Sequence, residues 1–514
     1  MRMNRQNLFL WAFILLVLLL ISLPYIYAYA IQGAGYEFAG FLLNPVDANT
    51  YLAKMRQGYR GSWLGTLPYT AEPGTGAFMF TYYLVLGHLA RFFHIGLPLT
   101  FHLARLVGTV LMLLALHRFC AVVFAGEQKL KWTAFILSAL GGGLGWLALP
   151  FADGVTSDFW VAEGYPFLTA YVNPHFPLGL ALILWLVTPQ EGAITVRRAF
   201  ELVMVALVLG IIVPFGVPLA LLAWGGVLVW KFAVKADWKP VFMRVLWVGL
   251  GGAPPLLYYV YITNTHPVLK GWNAQNLTTS PPWWDVLISF SPALLLALPG
   301  VWYAWKRGTW VQRILVSWGV LCLLLLYFPF ALQRRFITAF YVPVTCLAVW
   351  GVKQLAGERE RVQRILVTAW AVLAIPTNLI LIATGVFAAQ THDLNVYLTR
   401  GEADGLAWLA EHVNMDDLVL AGPEIGLYIP ARTDGRVLYG HTFETVNAEA
   451  QKALVTGFYA DGESSVQLAA FLQDQGIDYV FYGPREQALG ELAVPENWQP
   501  AFEAQDVIIY APAE

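Results

Sequence analysis

AFMFTYYLVLGHLARFFHI, residues 77–95, is apolar enough to pass for a membrane span, and whether it spans decides how the rest of the chain is threaded. As a span it would carry His88, Arg91 and His94 through lipid, where ionisable side chains are costly without a partner. Tyr82 and Tyr83 beside them suit the headgroup layer, which favours amphipathic rings. A helix lying in the outer membrane surface accommodates all five side chains. The loops agree. With 77–95 in the interface, the basic groups Lys129/Lys131, Arg197/Arg198, Lys231/Lys235/Lys239, Lys306/Arg307/Arg313 and Lys353/Arg359/Arg361/Arg364 all fall on one side. The positive-inside rule makes that side cytoplasmic. With 77–95 as a span, Lys129 and Lys131 move outside and the later loops reverse.

Outward from this segment, the chain of 514 residues is 58% hydrophobic and 12% charged. Soluble domains carry about a quarter charged residues, so a polytopic membrane protein lodged in the lipid bilayer is expected. A net charge of −2 and the lack of a Lys/Arg-rich run exclude a nucleic-acid partner. Cys120, Cys322 and Cys346 sit in apolar segments with neither disulfide nor metal spacing. The run after MRMNRQN is too long for a signal-peptide core and reads as a retained first span, with Arg2 and Arg5 holding the N-terminus in the cytoplasm.

Apolar runs lie near 7–31, 100–124, 132–150, 167–188, 242–262, 286–305, 313–331, 336–352 and 365–388. A further run at 199–234 is interrupted by PFGVP at 214–218 and reads as two helices. The expected fold is therefore a polytopic α-helical membrane protein of about eleven spans. A transmembrane module covers 1–390 and includes a long first outer loop, 32–99, with interfacial helices near 47–58 and 77–95. GGGLGW at 141–146, inside an apolar run, reads as close helix packing.

From about 392 the composition turns soluble. GEADGLAWLAEHV has a helical period, SSVQLAAFLQDQG reads as a helix capped by its first serine, and DLVLA, RVLYG, IDYVFYG and DVIIYA read as strands. A small extracytoplasmic α/β domain over 392–514 is expected, on a multi-pass protein of the plasma (inner) membrane.

Four places carry chemistry. In NPVDANTYLAKMRQG, 44–58, Asp47 opens a polar amphipathic stretch just beyond the first span. A carboxylate there can take the proton of a hydroxyl acceptor if the site is dry enough to keep it basic. Tyr51 and Lys54 or Met55 share its helical face. The plainer reading is a solvated loop aspartate. Arg334 and Arg335 lie between two spans on the outer side, against the positive-inside rule. Adjacent guanidiniums can clamp a lipid-linked phosphate and stabilise the charge left on it when a sugar departs. Snorkelling to anionic headgroups is the alternative.

The loop VTSDFWVAEGYPFLTAYVNPHFPLG supplies Asp158, Glu163, Asn173 and His175, with NPHFP breaking a helix at membrane depth, where polar groups tend to line cavities. Asp158 is a candidate to orient the acceptor and His175 to bond sugar or phosphate, a satisfied structural histidine being the competing reading. The loop NTHPVLKGWNAQNLTTSPPWWD carries His266, Lys270 and Gln275 among Trp272, Trp283 and Trp284. That mixture suits sugar stacking and phosphate contact, and equally an interfacial aromatic belt. No cofactor is expected, and no metal-ligand spacing supports a divalent cation. No phosphate-cradling glycine loop, Walker loop or nucleophile elbow is present, which turns the expected donor from a nucleotide sugar to a lipid.

The order of parts resembles the GT-C superfamily of integral-membrane glycosyltransferases, above all the branch of protein O-mannosyltransferases and lipid A aminoarabinose transferases. Asp47-Ala48-Asn49-Thr50-Tyr51 is similar to the acidic motif opening that branch's first outer loop. TYYLVLGHLARFF (81–93) resembles its second juxtamembrane helix, FHLARLVGTVLMLLALHRF (101–119) its next span, and RRFITAFYVPV (334–344) the start of a late span. The resemblance implies inverting transfer of a sugar from a polyprenyl-phosphate-sugar donor to a hydroxyl of a protein, glycolipid or polysaccharide at the outer face. It implies Asp47 as base and Arg334 and Arg335 at the donor phosphate; Lys270, from its own loop, is a further candidate for that phosphate. Ala48 stands where the family usually has a second acid, so that acid's role does not carry over. Asp158 or Glu163 is the candidate to replace it. Two rival classes remain: a flippase for a lipid-linked sugar, which would need the arginines but no base, and a non-catalytic assembly protein. The flippase reading lacks the repeated halves common in transporters. GPEIGLYIP and GHTFETVN in the C-terminal segment read as loops able to touch an acceptor.

Overall fold

A computed structural model of the chain describes residues 5–151, 154–190, 192–460 and 465–513. Arg2 and Ser464, given roles above, lie outside them. The chain is mostly helical. Among the described residues five helices are long and apolar enough to cross a membrane: Arg5–Ile31, Leu97–Val123, Gly216–Ala233, Lys239–Thr265 and Glu360–Gln390. The pair Trp283–Phe290 and Ala293–Arg307, bent by 88°, adds a sixth if it is one span.

The number read from hydropathy was higher because several apolar runs are broken. The helix in the run at 132–150 stops at Leu140, so GGGLGW breaks it while still serving as the close-packing point expected. A Cβ on Gly143 would come within 2.0 Å of the Ser289 carbonyl, so only glycine lets the two backbones meet there. The run at 167–188 divides into Pro166–Tyr171 and His175–Val187, and that at 336–352 into a 3₁₀ turn, Gln333–Ile337, and Tyr341–Ala356. Each piece is shorter than the roughly twenty residues a crossing needs. The break in the run at 199–234 falls at 213–215, between Val196–Ile212 and Gly216–Ala233, at the start of PFGVP.

The chain falls into two compact units. The first comprises Met1–Leu23, His102–Tyr258 and Thr278–Gly385. Its helices Ala293–Arg307 and Tyr341–Ala356 cross at glycines, with a Cβ on Gly300 placed 2.0 Å from Leu347 O and one on Gly351 placed 1.8 Å from Leu296 O. Apolar helices gain little from hydrophobicity inside lipid, so close backbone approach of this kind holds them.

The second comprises Pro24–Phe101, Tyr259–Leu277 and Val386–Glu514, and so joins the first loop to the C-terminal segment. β1 (Tyr36–Phe38) pairs antiparallel with β2 (Tyr397–Thr399), Tyr36 opposite Thr399. A five-stranded sheet follows from β3 (Leu418–Leu420), β4 (Arg436–Val437), β5 (Tyr479–Tyr482), β6 (Trp498–Ala504) and β7 (Val507–Pro512), in the order β4-β3-β5-β7-β6. β3 runs parallel to β4 and β5, and β7 antiparallel to β5 and β6. The helix Arg400–His412 is started by a capping box in which Thr399 Oγ1 accepts from Glu402 N at 3.2 Å and Glu402 Oε2 from Thr399 N at 2.8 Å. Its Leu406 and Leu409 pack on Val419, Phe481, Val507 and Ile509 of the sheet, and Ala53 and Tyr69 of the first loop complete that core.

Candidate active site

Asp47 lies in the first turn of the helix Pro45–Arg60. Pro45 presets the first helical φ, and Asn44 caps the end from a left-handed backbone, φ 52°. Asn44 Nδ2 donates to Asp47 Oδ2 at 2.7 Å. Carboxylates are favoured at a helix N-terminus by the helix dipole. Further along, Lys54 Nζ is fully buried, 2.5 Å from Glu444 Oε2 and 4.8 Å from the centre of the Phe80 ring. Tyr51 stacks on Tyr83 of the helix Thr81–Phe93, ring centroids 4.2 Å apart, and so belongs to the packing of the two helices. Gly58 and Gly87 permit that packing: a Cβ on either would lie 2.1 Å from Leu84 O or 1.9 Å from Met55 O.

The residue that faces Asp47 comes from the C-terminal segment. His441 Nε2 is 3.3 Å from Asp47 Oδ1, a close contact rather than an aligned hydrogen bond. His441 Nδ1 accepts backbone N–H bonds from Phe443 at 3.0 Å and Glu444 at 3.1 Å. With Nδ1 occupied as an acceptor, the neutral ring carries its proton on Nε2, towards the carboxylate. The loop bearing His441 is tied in place on three sides: by Lys54 to Glu444, by Gln275 to the carbonyls of Phe443 and Thr445, and by Thr445 Oγ1 to the backbone N–H of Gly440 and His441. His441 is 3% exposed and Asp47 42%. The carboxylate is therefore capped by Asn44 and faced by a buried imidazole while remaining partly exposed. His441 was not singled out in the sequence; the signal was GHTFETVN, a loop with an isolated histidine and a glutamate three residues on.

His266 and Lys270 belong to this same unit. His266 Nδ1 accepts from Leu269 N at 3.3 Å, capping Pro267–Gln275, while Nε2 donates to the Thr75 carbonyl at 2.7 Å. Both ring nitrogens are thereby committed to the fold. Lys270 is exposed on that helix.

The remaining candidates lie in the other unit. Arg334 and Arg335 sit in the 3₁₀ turn Gln333–Ile337. Arg335 Nη1 donates to Glu163 Oε1 at 2.9 Å, and the Arg334 guanidinium lies 4.7 Å over the Trp160 ring. Asp158 is 1% exposed and surrounded by donors: Thr156 Oγ1 at 2.7 Å, Thr377 Oγ1 at 3.0 Å, Gly145 N at 3.1 Å and Ser289 Oγ at 3.3 Å. Burial pushes its carboxyl up from the ordinary range and these hydrogen bonds pull it back. Asn173 is fully buried in the break before His175–Val187, and neither end of its amide has a partner among the described residues. An amide left this way calls for a water or a ligand. His175 packs on Phe176, ring centroids 4.0 Å apart. Among the described residues no three His, Cys, Asp or Glu side chains gather as a metal site.

No family model matches the sequence, and no curated protein sequence does. Solved structures do. The archaeal oligosaccharyltransferase AglB from Archaeoglobus fulgidus, in complex with an inhibitory peptide and a dolichol-phosphate, is 13% identical at a TM-score of 0.57, over 93% of this chain and 70% of that one. ArnT from Cupriavidus metallidurans, bound to undecaprenyl phosphate, is 11% identical at 0.52, over 97% and 98%. The arabinofuranosyltransferase AftD from Mycobacteria is 15% identical at 0.54, over 100% of this chain and 40% of that one. All three are GT-C membrane glycosyltransferases, and at these identities the likeness is one of fold.

Proposed function

We propose that this chain, a multi-pass membrane protein with the GT-C fold, transfers a sugar from a polyprenyl-phosphate-sugar donor to a hydroxyl acceptor with inversion. The observation that carries the reading is Asp47: a half-exposed carboxylate held by Asn44 on one oxygen and faced by His441 on the other. The acceptor oxygen attacks the anomeric carbon opposite the phosphate, the bond from that carbon to the phosphate oxygen breaks, and the acceptor proton passes to Asp47. Holding the two reactants in line removes roughly 7–11 kcal/mol of barrier, and a positioned base adds about 10²–10⁴-fold. Arg334 and Arg335 are proposed to hold the departing phosphate, Glu163 orienting the second guanidinium. Lys270, Asn173 and His175 are proposed as contacts to the substrates, and no step runs through a cofactor.

The dolichol-phosphate and undecaprenyl phosphate bound by AglB and ArnT support a lipid donor. The acceptor is a protein, a glycolipid or a polysaccharide. The module over 1–390 is proposed to thread a plasma (inner) membrane with about eleven crossings, the N-terminus cytoplasmic and the domain at 392–514 extracytoplasmic. Leu89, Phe92 and Phe93, exposed on the helix Thr81–Phe93, suit burial in the membrane surface.

Purified protein with a panel of polyprenyl-phosphate sugars tests the reading. Asp47→Asn is expected to bind donor and lose transfer by about 10²–10⁴-fold. Transfer at the unmutated rate would remove the base and leave the flippase or assembly reading in front.

A further inference from the structure

The helix that begins with Asp47 carries a second group of charges at its other end. Arg56 lies nine positions beyond Asp47, about two and a half turns and roughly 14 Å along the axis, so it projects from the opposite side of the helix. Arg56 and Arg60 border a cavity of about 70 Å³ that β4 and the turn before it close with Asp434 and Arg436, over an apolar wall that includes Met415 and Pro430. Asp434 Oδ1 accepts from Arg56 Nε at 2.7 Å and Arg60 Nε at 3.1 Å, and its Oδ2 lies 2.6 Å from Arg60 Nη2. Arg436 is fixed by donating to the Ala71 and Asp416 carbonyls. Three guanidiniums and one carboxylate thus border the cavity, the carboxylate being paired with Arg56 and Arg60. The surplus of two positive charges matches a phosphate dianion, and arginine forks bind phosphate by paired charge-assisted bonds.

We propose that this cavity is a phosphate-binding site, separate from the face of the helix that bears Asp47. A bound phosphate bridges Arg56 and Arg60 of the first loop to Arg436 of the C-terminal segment. It therefore pins the Asp47 helix to the sheet and stabilises the folded state by mass action. The site stands apart from the transfer reading, because it uses neither Asp47 nor a glycosyl donor.

The test is thermal unfolding of the full chain in detergent, titrated with sodium phosphate against sodium chloride at equal ionic strength. A saturable rise in Tm specific to phosphate is expected. Arg60→Gln, whose side chain is 48% exposed, is expected to raise the apparent Kd about tenfold, the value of one charge-assisted bond. Should that variant fail to fold, Arg60→Lys carries the test, since it keeps the charge and loses the fork. A second titration with glucose 6-phosphate separates the sources: a matching, Arg60-dependent response assigns the site to phosphate monoesters, and a response to inorganic phosphate alone assigns it to the free ion. Equal Tm in phosphate and chloride, or an equal phosphate response in the Arg60 variant, overturns the proposal.

Discussion

Asp47 and Asp158 are built to opposite ends. Asp158 is 1% exposed, and its two oxygens face two threonine hydroxyls, a serine hydroxyl and a backbone N–H. Asp47 is 42% exposed, with Asn44 Nδ2 on one oxygen and His441 Nε2 facing the other. A carboxylate that has committed its lone pairs to buried donors organises a fold; one oriented but still open can receive a proton. The two acids differ in burial and in how many buried donors they accept from, and that difference is the ground on which Asp47 is proposed as the base.

The contrast can be broken most directly at Asp47. Asp47→Asn should lower transfer by about 10²–10⁴-fold with no change in Tm, and a loss of Tm in its place would make Asp47 a structural acid. Asp158→Ala should do the reverse, costing about 3 kcal/mol in denaturant unfolding, because several buried donors lose their acceptor together. Unchanged stability in that variant would erase the distinction.

A third acid sharpens the comparison. Glu486 is fully buried and accepts backbone N–H bonds from Gly422 at 2.9 Å and Gly483 at 3.1 Å. Burial nevertheless lifts its carboxyl from 4.5 to about 8. The folded chain therefore holds a proton that the unfolded chain releases. The stabilisation is complete below about pH 4.5 and is lost as the pH rises through about 8. Unfolding followed across that window should show stability falling with pH, and Glu486→Gln should flatten the slope. The smallest effect is expected at His441. His441→Gln should lower transfer by about tenfold, the worth of one positioning contact, with KM nearly unchanged. An unaltered rate would mean that Asn44 alone orients Asp47.

Much of the fold was legible locally. The polar stretch from 44, the broken run at 199–234 and the strands at 418–420, 436–437, 479–482 and 507–512 follow from periodicity, proline and β-branched runs. The strand at 498–504 was not legible, because WQPAFEA carries a proline and alternates poorly. Hydropathy gives more apolar runs than there are crossing-length helices among the described residues for a related reason: a window sums apolar residues and does not register a glycine or Asn-Pro break inside it. Asp47 and the arginines were readable as charges in unexpected places, whereas the commitment of Asp158, Glu163 and His266 to internal partners was not.

What the sequence determined by itself is therefore what depends on neighbours along the chain: membrane class, the helix that starts at Pro45 with an acid in its first turn, and the soluble character of the last segment. What only the tertiary structure decided is which distant groups meet. His441 lies nearly four hundred residues from Asp47, and Glu444 is separated from Lys54 by 390. No local propensity encodes such pairs, because they form only when the burial of Ala53 and Tyr69 in the sheet's core brings the two segments together.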